Sequence, residues 1–274
     1  MNGEVVLAAD LNLQETLECG QCFRWNAVPA PDGEIRYQGV ALQNELTVSQ
    51  RGDRVTFHCT KEDFQQYWKS YFDLGTNYGE IHSQLCDISP VLSEAAAYAP
   101  GIHILRQDPW EALCSFILSQ NNNIPRIKGL VERLCRYFGA RLPSGAVAFP
   151  GPEVLAALEI SDLVPVRAGF RAKFILDAAR SVLNGAVDLK KIREAPISYG
   201  RRELQKIYGV GPKVAECTLL YGFYKTEGFP MDVWMRRAMQ KLLPGLDPET
   251  FGKNAGLAQQ YLFHYSRMHP DLVA

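Results

Sequence analysis

No apolar run in this 274-residue chain approaches eighteen residues, so a transmembrane helix is not expected. The opening stretch, MNGEVVLAADLNLQ, has neither the basic flank nor the apolar run of a secretory signal, and the expected compartment is the cytosol. Cysteine is sparse and odd in number: Cys19, Cys22, Cys59, Cys86, Cys114, Cys135 and Cys217. Such a scatter does not read as a disulfide framework. Cys19 and Cys22 form a C-x-x-C, but no second pair follows at zinc spacing and no helix-opening context supports redox chemistry, so packing cysteines and no metal are expected. Net charge is nearly absent, at −1, and there is no low-complexity tract or fixed-period repeat.

What is present begins with an uneven charge distribution. Residues 1–100 carry 6 Lys+Arg against 14 Asp+Glu, and residues 101–274 carry 23 against 16. The second part can face a polyanion, and a merely solvated basic surface fits equally well. At 47% hydrophobic and 22% charged, the composition is that of an ordinary globular protein with enough apolar residues for a core.

Residues 1–100 read as β-rich. "CFRWNAV", "IRYQGVALQ", "ELTVSQ" and "RVTFHCT" alternate and are separated by turn signals. "KEDFQQYWKSYF" then takes helical spacing, placing Phe64, Tyr67, Trp68 and Phe72 on one face, and a helical connection follows. Residues 101–274 read as almost wholly helical. Asp108-Pro109 opens one helix, and the asparagines 121–123 close it. The expected fold class is α+β, an antiparallel sheet domain (1–100) followed by an all-helical domain (101–274).

The most informative stretch is "LQKIYGVGPKVAEC". Gly209-Val210-Gly211 makes a hairpin between two helices, with Pro212 in the first turn of the second. Glycines there let a phosphate approach main-chain N–H groups, so the hairpin can hold a nucleic-acid backbone without reading sequence. An ordinary αα-hairpin needs the same glycines. It does not need Lys213. A fixed cation at a helix N-terminus is disfavoured by the helix dipole, which helps supply the neutral amine of a nucleophile. Asp232, after Pro230, reads either as a plain N-cap or as a carboxylate that stabilises positive charge on a reacting sugar.

"LQKIYGVGPKVAECTLLYGF…FPMDVW" resembles the helix-hairpin-helix motif and following Pro/Asp segment of the DNA glycosylase superfamily. "ILRQDPWEALCSFILSQNNNIPRIKGLVERLCRYFGARL" (104–142) resembles the matching segment of the 8-oxoguanine DNA glycosylases almost residue for residue. "LNLQETLECGQCFRW" is similar to the amino-terminal strand of that family, and "GLAQQYLF" to its carboxy-terminal helix. The resemblance implies a repair glycosylase with associated lyase activity, acting on duplex DNA that holds oxidised guanine. It implies a monomer with no obligatory protein partner and no membrane association, cytoplasmic and on the nucleoid in a bacterium, nuclear in a eukaryote.

The same resemblance implies the residue roles. Lys213 attacks the sugar and forms a Schiff base, and Asp232 stabilises the developing charge. Gly20 offers a carbonyl to the N7–H that distinguishes the oxidised base. Cys217 and Phe263 sandwich that base, and Gln259 reads its Watson–Crick edge. Asn121, Arg126 and Arg171 meet the estranged cytosine, and Phe170 stands where relatives carry a tyrosine wedge. Gly209 and Gly211 shape the phosphate clamp. Some superfamily members hold an iron–sulfur cluster on cysteines near the carboxy terminus; no cysteine follows Cys217, so no cofactor is expected. Trp234 stands where many relatives have a histidine thought to touch the phosphate backbone, and a neutral indole puts that contact in doubt. The rival readings are a non-catalytic damaged-DNA-binding module, an alkylated-base glycosylase without the lysine, and a C-x-x-C redox protein.

Overall fold

Alternating hydrophobicity builds a five-stranded antiparallel sheet at the start of the chain. The computed structural model describes residues 5–8 and 10–274. The leader reading of the opening stretch rests partly on residues 1–4 and 9, which lie outside the described residues. Strand β1 (Val5–Ala8) precedes helix α1 (Leu13–Glu18), and then come β2 (Trp25–Ala27), β3 (Ile35–Ala41), β4 (Asn44–Arg51) and β5 (Arg54–Phe57). The sheet order is β1-β5-β4-β3-β2, every neighbour antiparallel. The α+β expectation therefore holds. One local reading does not: most of LNLQETLE is helix, not strand. Asn12 accepts a hydrogen bond from the Glu15 N–H at 3.1 Å, and Leu13 and Leu17, one helical turn apart, are both buried.

The sheet is covered by a helical stretch made of α2 (Lys61–Asp63), a π-helical turn (Phe64–Trp68) and α3 (Lys69–Tyr71). Trp25, Phe57, Phe64, Trp68, Tyr71 and Phe72 pack edge-on or tilted there at 5.1–6.2 Å between ring centres. Together with Leu11, Leu13, Leu17, Val48 and Val55 they form one closed core.

A second and larger core is helical. It is built from α4 (Tyr78–Cys86), α5 (Pro90–Tyr98), α6 (Pro109–Ser119), α7 (Ile124–Phe138), α8 (Pro152–Ala156), α9 (Arg171–Leu183), α10 (Leu189–Glu194), α11 (Ile197–Leu204), α12 (Pro212–Phe223), α13 (Val233–Leu242) and α14 (Ala255–Met268). Helix α6 runs against α12 at the centre, which is why nine of its residues are buried. Gly222 permits this approach, since a Cβ there would stand 2.9 Å from Pro109 Cα. Among the described residues no helix is long and apolar enough to cross a membrane.

Polar groups tie the two cores together. The buried Gln21 side chain donates to the Thr16 and His103 carbonyls at 3.0 and 2.7 Å and accepts from the Leu105 N–H at 2.9 Å. Buried Asp73 accepts from Tyr78 and Tyr224 hydroxyls at 2.8 and 2.5 Å and pairs with Arg106 at 2.7 Å. Each buried group is satisfied several times over, as low-polarity surroundings require. The loop bearing Gly20 is thereby held between the sheet and the helical body.

Candidate active site

The hairpin forms as its residues dictate. Gly209 takes a left-handed conformation (φ +83), and Gly211 is the N-cap of α12 with no side-chain cap. With Pro212 at the first position, the remaining first-turn N–H groups of α12 have no intrahelical partner and point to a shared opening, a ready anion site. Lys213 follows one residue later.

Lys213 Nζ donates to Ser119 Oγ at 3.1 Å, and Ser119 in turn donates to the Phe116 carbonyl at 2.8 Å. The amine also lies 5.4 Å from the Phe116 ring centre. Among the described residues no carboxylate lies within ion-pair distance of it. Ser119, Lys213, Asp232 and Trp234 line two adjoining cavities, of about 370 and 670 Å³. Asp232 is the N-cap of α13, its Oδ1 accepting from the Met235 N–H at 2.8 Å. Cap and cavity-lining carboxylate are thus one residue, because a cap leaves the second carboxylate oxygen available.

Gly20 and Phe263 both line the smaller cavity and lie next to each other. Gly20 has φ +94, a conformation L side chains resist, and a Cβ there would sit 3.2 Å from Ile124 and 3.6 Å from Phe263. Its carbonyl accepts no hydrogen bond from the described residues. The loop cannot drift. The Cys19 carbonyl accepts from Gln260 of α14 at 3.1 Å, and the Gln21 carbonyl accepts from Gln107 at 2.7 Å.

Cys217 and Gln259 do not line this cavity; both are buried beside it. Burial pushes the Cys217 thiol up to about 11, only partly opposed by the Lys213 charge, so it stays protonated near neutrality. The Tyr221 hydroxyl donates to Gln260, and the Gln259 side-chain oxygen stands 3.4 Å from the same hydroxyl. Asn121 is exposed in a left-handed conformation (φ +47), and Arg126 is exposed in the first turn of α7. Arg171, by contrast, is buried, its guanidinium donating to the Gln120, Asn121 and Ala168 carbonyls. In this state it braces the loop that presents Asn121. Phe170 is half exposed at the start of α9 with Arg171 4.4 Å over its ring.

Two residues not named from the sequence, Ser119 and Arg267, complete the site, and Trp234, which the sequence did single out, takes a partner there. Ser119 holds the lysine, Arg267 stands over Phe263 at 5.5 Å, and Trp234 donates its indole N–H to Ser266 of α14 at 2.8 Å. Trp234 thus spends its one donor inside the protein. A serine at a helix end carries no sequence signal by itself, and pairs such as Trp234–Ser266 exist only across helices. Both cysteines of the C-x-x-C pair are free and buried, and burial pushes the Cys19 thiol up to about 12 and Cys22 also well up, which disfavours the thiolate.

Residues 5–113 match the family described as 8-oxoguanine DNA glycosylase, N-terminal domain, and residues 114–249 match the HhH-GPD superfamily of base excision DNA repair proteins. The N-glycosylase/DNA lyase of Saccharomyces cerevisiae is 30% identical over 259 residues, covering 85% of this chain and 68% of that protein. This chain belongs to the 8-oxoguanine DNA glycosylase family. Within that family, the structure of MBOgg1 with a low-affinity DNA ligand is 42% identical with a TM-score of 0.91, covering 98% of this chain and 97% of the other. The 8-oxoguanine glycosylase/lyase of Clostridium acetobutylicum, bound to double-stranded DNA with cytosine opposite 8-oxoguanine, is 34% identical with a TM-score of 0.88 and 98% coverage of both. Both likenesses extend the family's sheet-then-helices order over nearly the whole chain.

Proposed function

We propose that the chain excises 8-oxoguanine from duplex DNA and then cleaves the strand at the resulting site, with Lys213 as nucleophile. The carrying observation is the placing of the Lys213 amine on a neutral hydroxyl, where two cavities meet beside Asp232. The base enters the smaller cavity after extrusion from the stack. There Gly20 offers its carbonyl to N7–H, Phe263 covers a face, and Cys217 and Gln259 are reached by a modest opening of the cavity floor.

The Lys213 lone pair forms a bond to C1′ while the bond to N9 breaks, and the base departs with that electron pair. Asp232 stabilises the positive charge that develops on the sugar. The departing base takes up one amine proton, and the nitrogen lone pair then opens the C1′–O4′ bond while O4′ takes up a proton, which gives the protonated imine. A proton then leaves C2′, and its electrons expel the 3′ phosphate by β-elimination. Asn121 and Arg126 hold the estranged cytosine, Arg171 joins them once its bonds to the Gln120 and Asn121 carbonyls are released, Phe170 fills the gap, and the N–H groups around Gly209 and Gly211 clamp the backbone. We place the division between sheet and helical domains near residue 100 and take the working form as a monomer, acting in the nucleoid or nucleus where its substrate lies.

The test uses a duplex with 8-oxoguanine opposite cytosine, mixed with protein and borohydride, which reduces the imine to a stable amine. Wild type is expected to be trapped covalently, and Lys213→Gln to give no adduct while still binding. Binding without trapping or base release by the wild type would favour a non-catalytic clamp.

A further inference from the structure

Three aromatic rings run across the surface between the hairpin and the start of α9. Phe170 packs edge-on to Phe174 at 5.8 Å, and Phe174 edge-on to Tyr208 at 5.2 Å. The two ends are open, Phe170 at 50% exposure and Tyr208 at 57%. A core would not leave two large rings so exposed. Lys173 lies alongside, 5.4 Å from the Phe174 ring centre and 5.1 Å from that of Tyr208, and donates to the Tyr208 hydroxyl at 3.3 Å. Among the described residues no carboxylate pairs with it.

The hairpin is also locked to α9. The Tyr208 main-chain N–H donates to Asp177 Oδ2 at 2.7 Å, a charge-assisted bond. The Phe174 ring occupies the space a Cβ on Gly209 would need, so the turn sits directly on the helix. The turn that clamps phosphate and the residue that fills the vacated stack thus belong to one rigid element.

We propose that Phe170, Phe174 and Tyr208, with Lys173, form a continuous DNA-facing ridge in which Tyr208 is a second aromatic contact. The inference rests on the glycosylase reading above and deepens it. Tyr208 lays its ring on the sugar–phosphate edge beside the clamp, and the Lys173 ammonium, with two hydrogens left unspent by Tyr208, takes a phosphate. Apolar rings interleaved with a cation suit the sugar faces and phosphates of a nucleic-acid backbone. Because Asp177 fixes the turn on α9, seating Tyr208 sets the register at which Phe170 meets the base stack.

The experiment measures binding to a duplex carrying a tetrahydrofuran abasic analogue opposite cytosine, across a salt series, with 2-aminopurine beside the analogue to report unstacking. Single-turnover excision of 8-oxoguanine at saturating protein is measured alongside. Tyr208→Ala is expected to weaken binding about tenfold and to reduce the 2-aminopurine signal, while the saturated excision rate falls less than binding. Tyr208→Phe retains the ring and restores most of the affinity. Lys173→Met, an exposed change that leaves the fold intact, lowers the salt slope by about one. Tyr208→Ala and Lys173→Met both binding within twofold of wild type, with unchanged slope, would overturn the ridge. A wild type that forms no borohydride adduct overturns the glycosylase reading instead.

Discussion

The Lys213 amine is held by a hydroxyl and, among the described residues, makes no ion pair. Ser119 spends its own proton on the Phe116 carbonyl, so its oxygen can only accept from the amine. The adjacent Cys217 thiol, raised by burial, does not become a thiolate that could pair with the lysine. Ser119 is therefore a positioning residue. Ser119→Ala is expected to slow single-turnover excision about tenfold, the scale of one hydrogen bond to a charged or reacting group, with DNA affinity preserved. Ser119→Thr, which keeps the hydroxyl, should recover part of the rate; equal rates for wild type and Ser119→Ala would remove the assigned role. Lys213 itself is legible in the sequence because its position just after a Gly-x-Gly turn is unexplained by folding. Ser119 is not, since only the crossing of α6 on α12 brings it to the amine.

At the scale of an element, helix α13 combines a structural and a chemical demand in Asp232. Its N-cap bond to Met235 organises the first turn, and its place on both cavities gives the carboxylate access to substrate. The two demands can be separated. Asp232→Asn keeps an equally good cap and should leave the melting temperature close to wild type while base excision collapses. Asp232→Ala should lose the excision and, in addition, about 1 kcal/mol of stability. Thermal melts and excision assays on both variants decide it; an active Asp232→Asn would restrict Asp232 to capping. Element identity was mostly readable from periodicity and caps, as at Asp108, where the side chain receives the Trp110 and Glu111 N–H groups at 3.0 and 2.9 Å. The exception, α1, hides its helical character in only six residues, too few for a period to stand out.

For the whole molecule, the sheet and the helical body meet through polar groups, and one of them, the partly buried Glu111, has its carboxyl pKa raised toward neutrality. Glu111 of α6 faces Arg24, from the segment before β2, at 3.5 Å. Burial raises its carboxyl from an ordinary 4.5 to about 7, with the Arg24 charge opposing. Between those values the folded chain keeps a proton that the unfolded chain has released. Stability should therefore fall as pH rises from about 4.5 to about 7 and level off above. Urea-unfolding midpoints across that range should show the decline, and Glu111→Gln, neutral throughout, should flatten it. An identical slope in the variant would move the effect to another group.

The sequence by itself determined the α+β class and the glycine hairpin, because both depend on local conformation, and it singled out Lys213 as a residue type no turn requires. Tertiary structure alone decided which of the named residues meet. It set Gly20 beside Phe263, placed Cys217 and Gln259 outside the cavity lining, and turned the Arg171 donors onto main-chain carbonyls. It also joined Trp234 to Ser266 and Tyr208 to Asp177. The reason is physical. Backbone preferences act over a few residues and are written along the chain, whereas these contacts depend on how helices far apart in sequence are packed to fill one core.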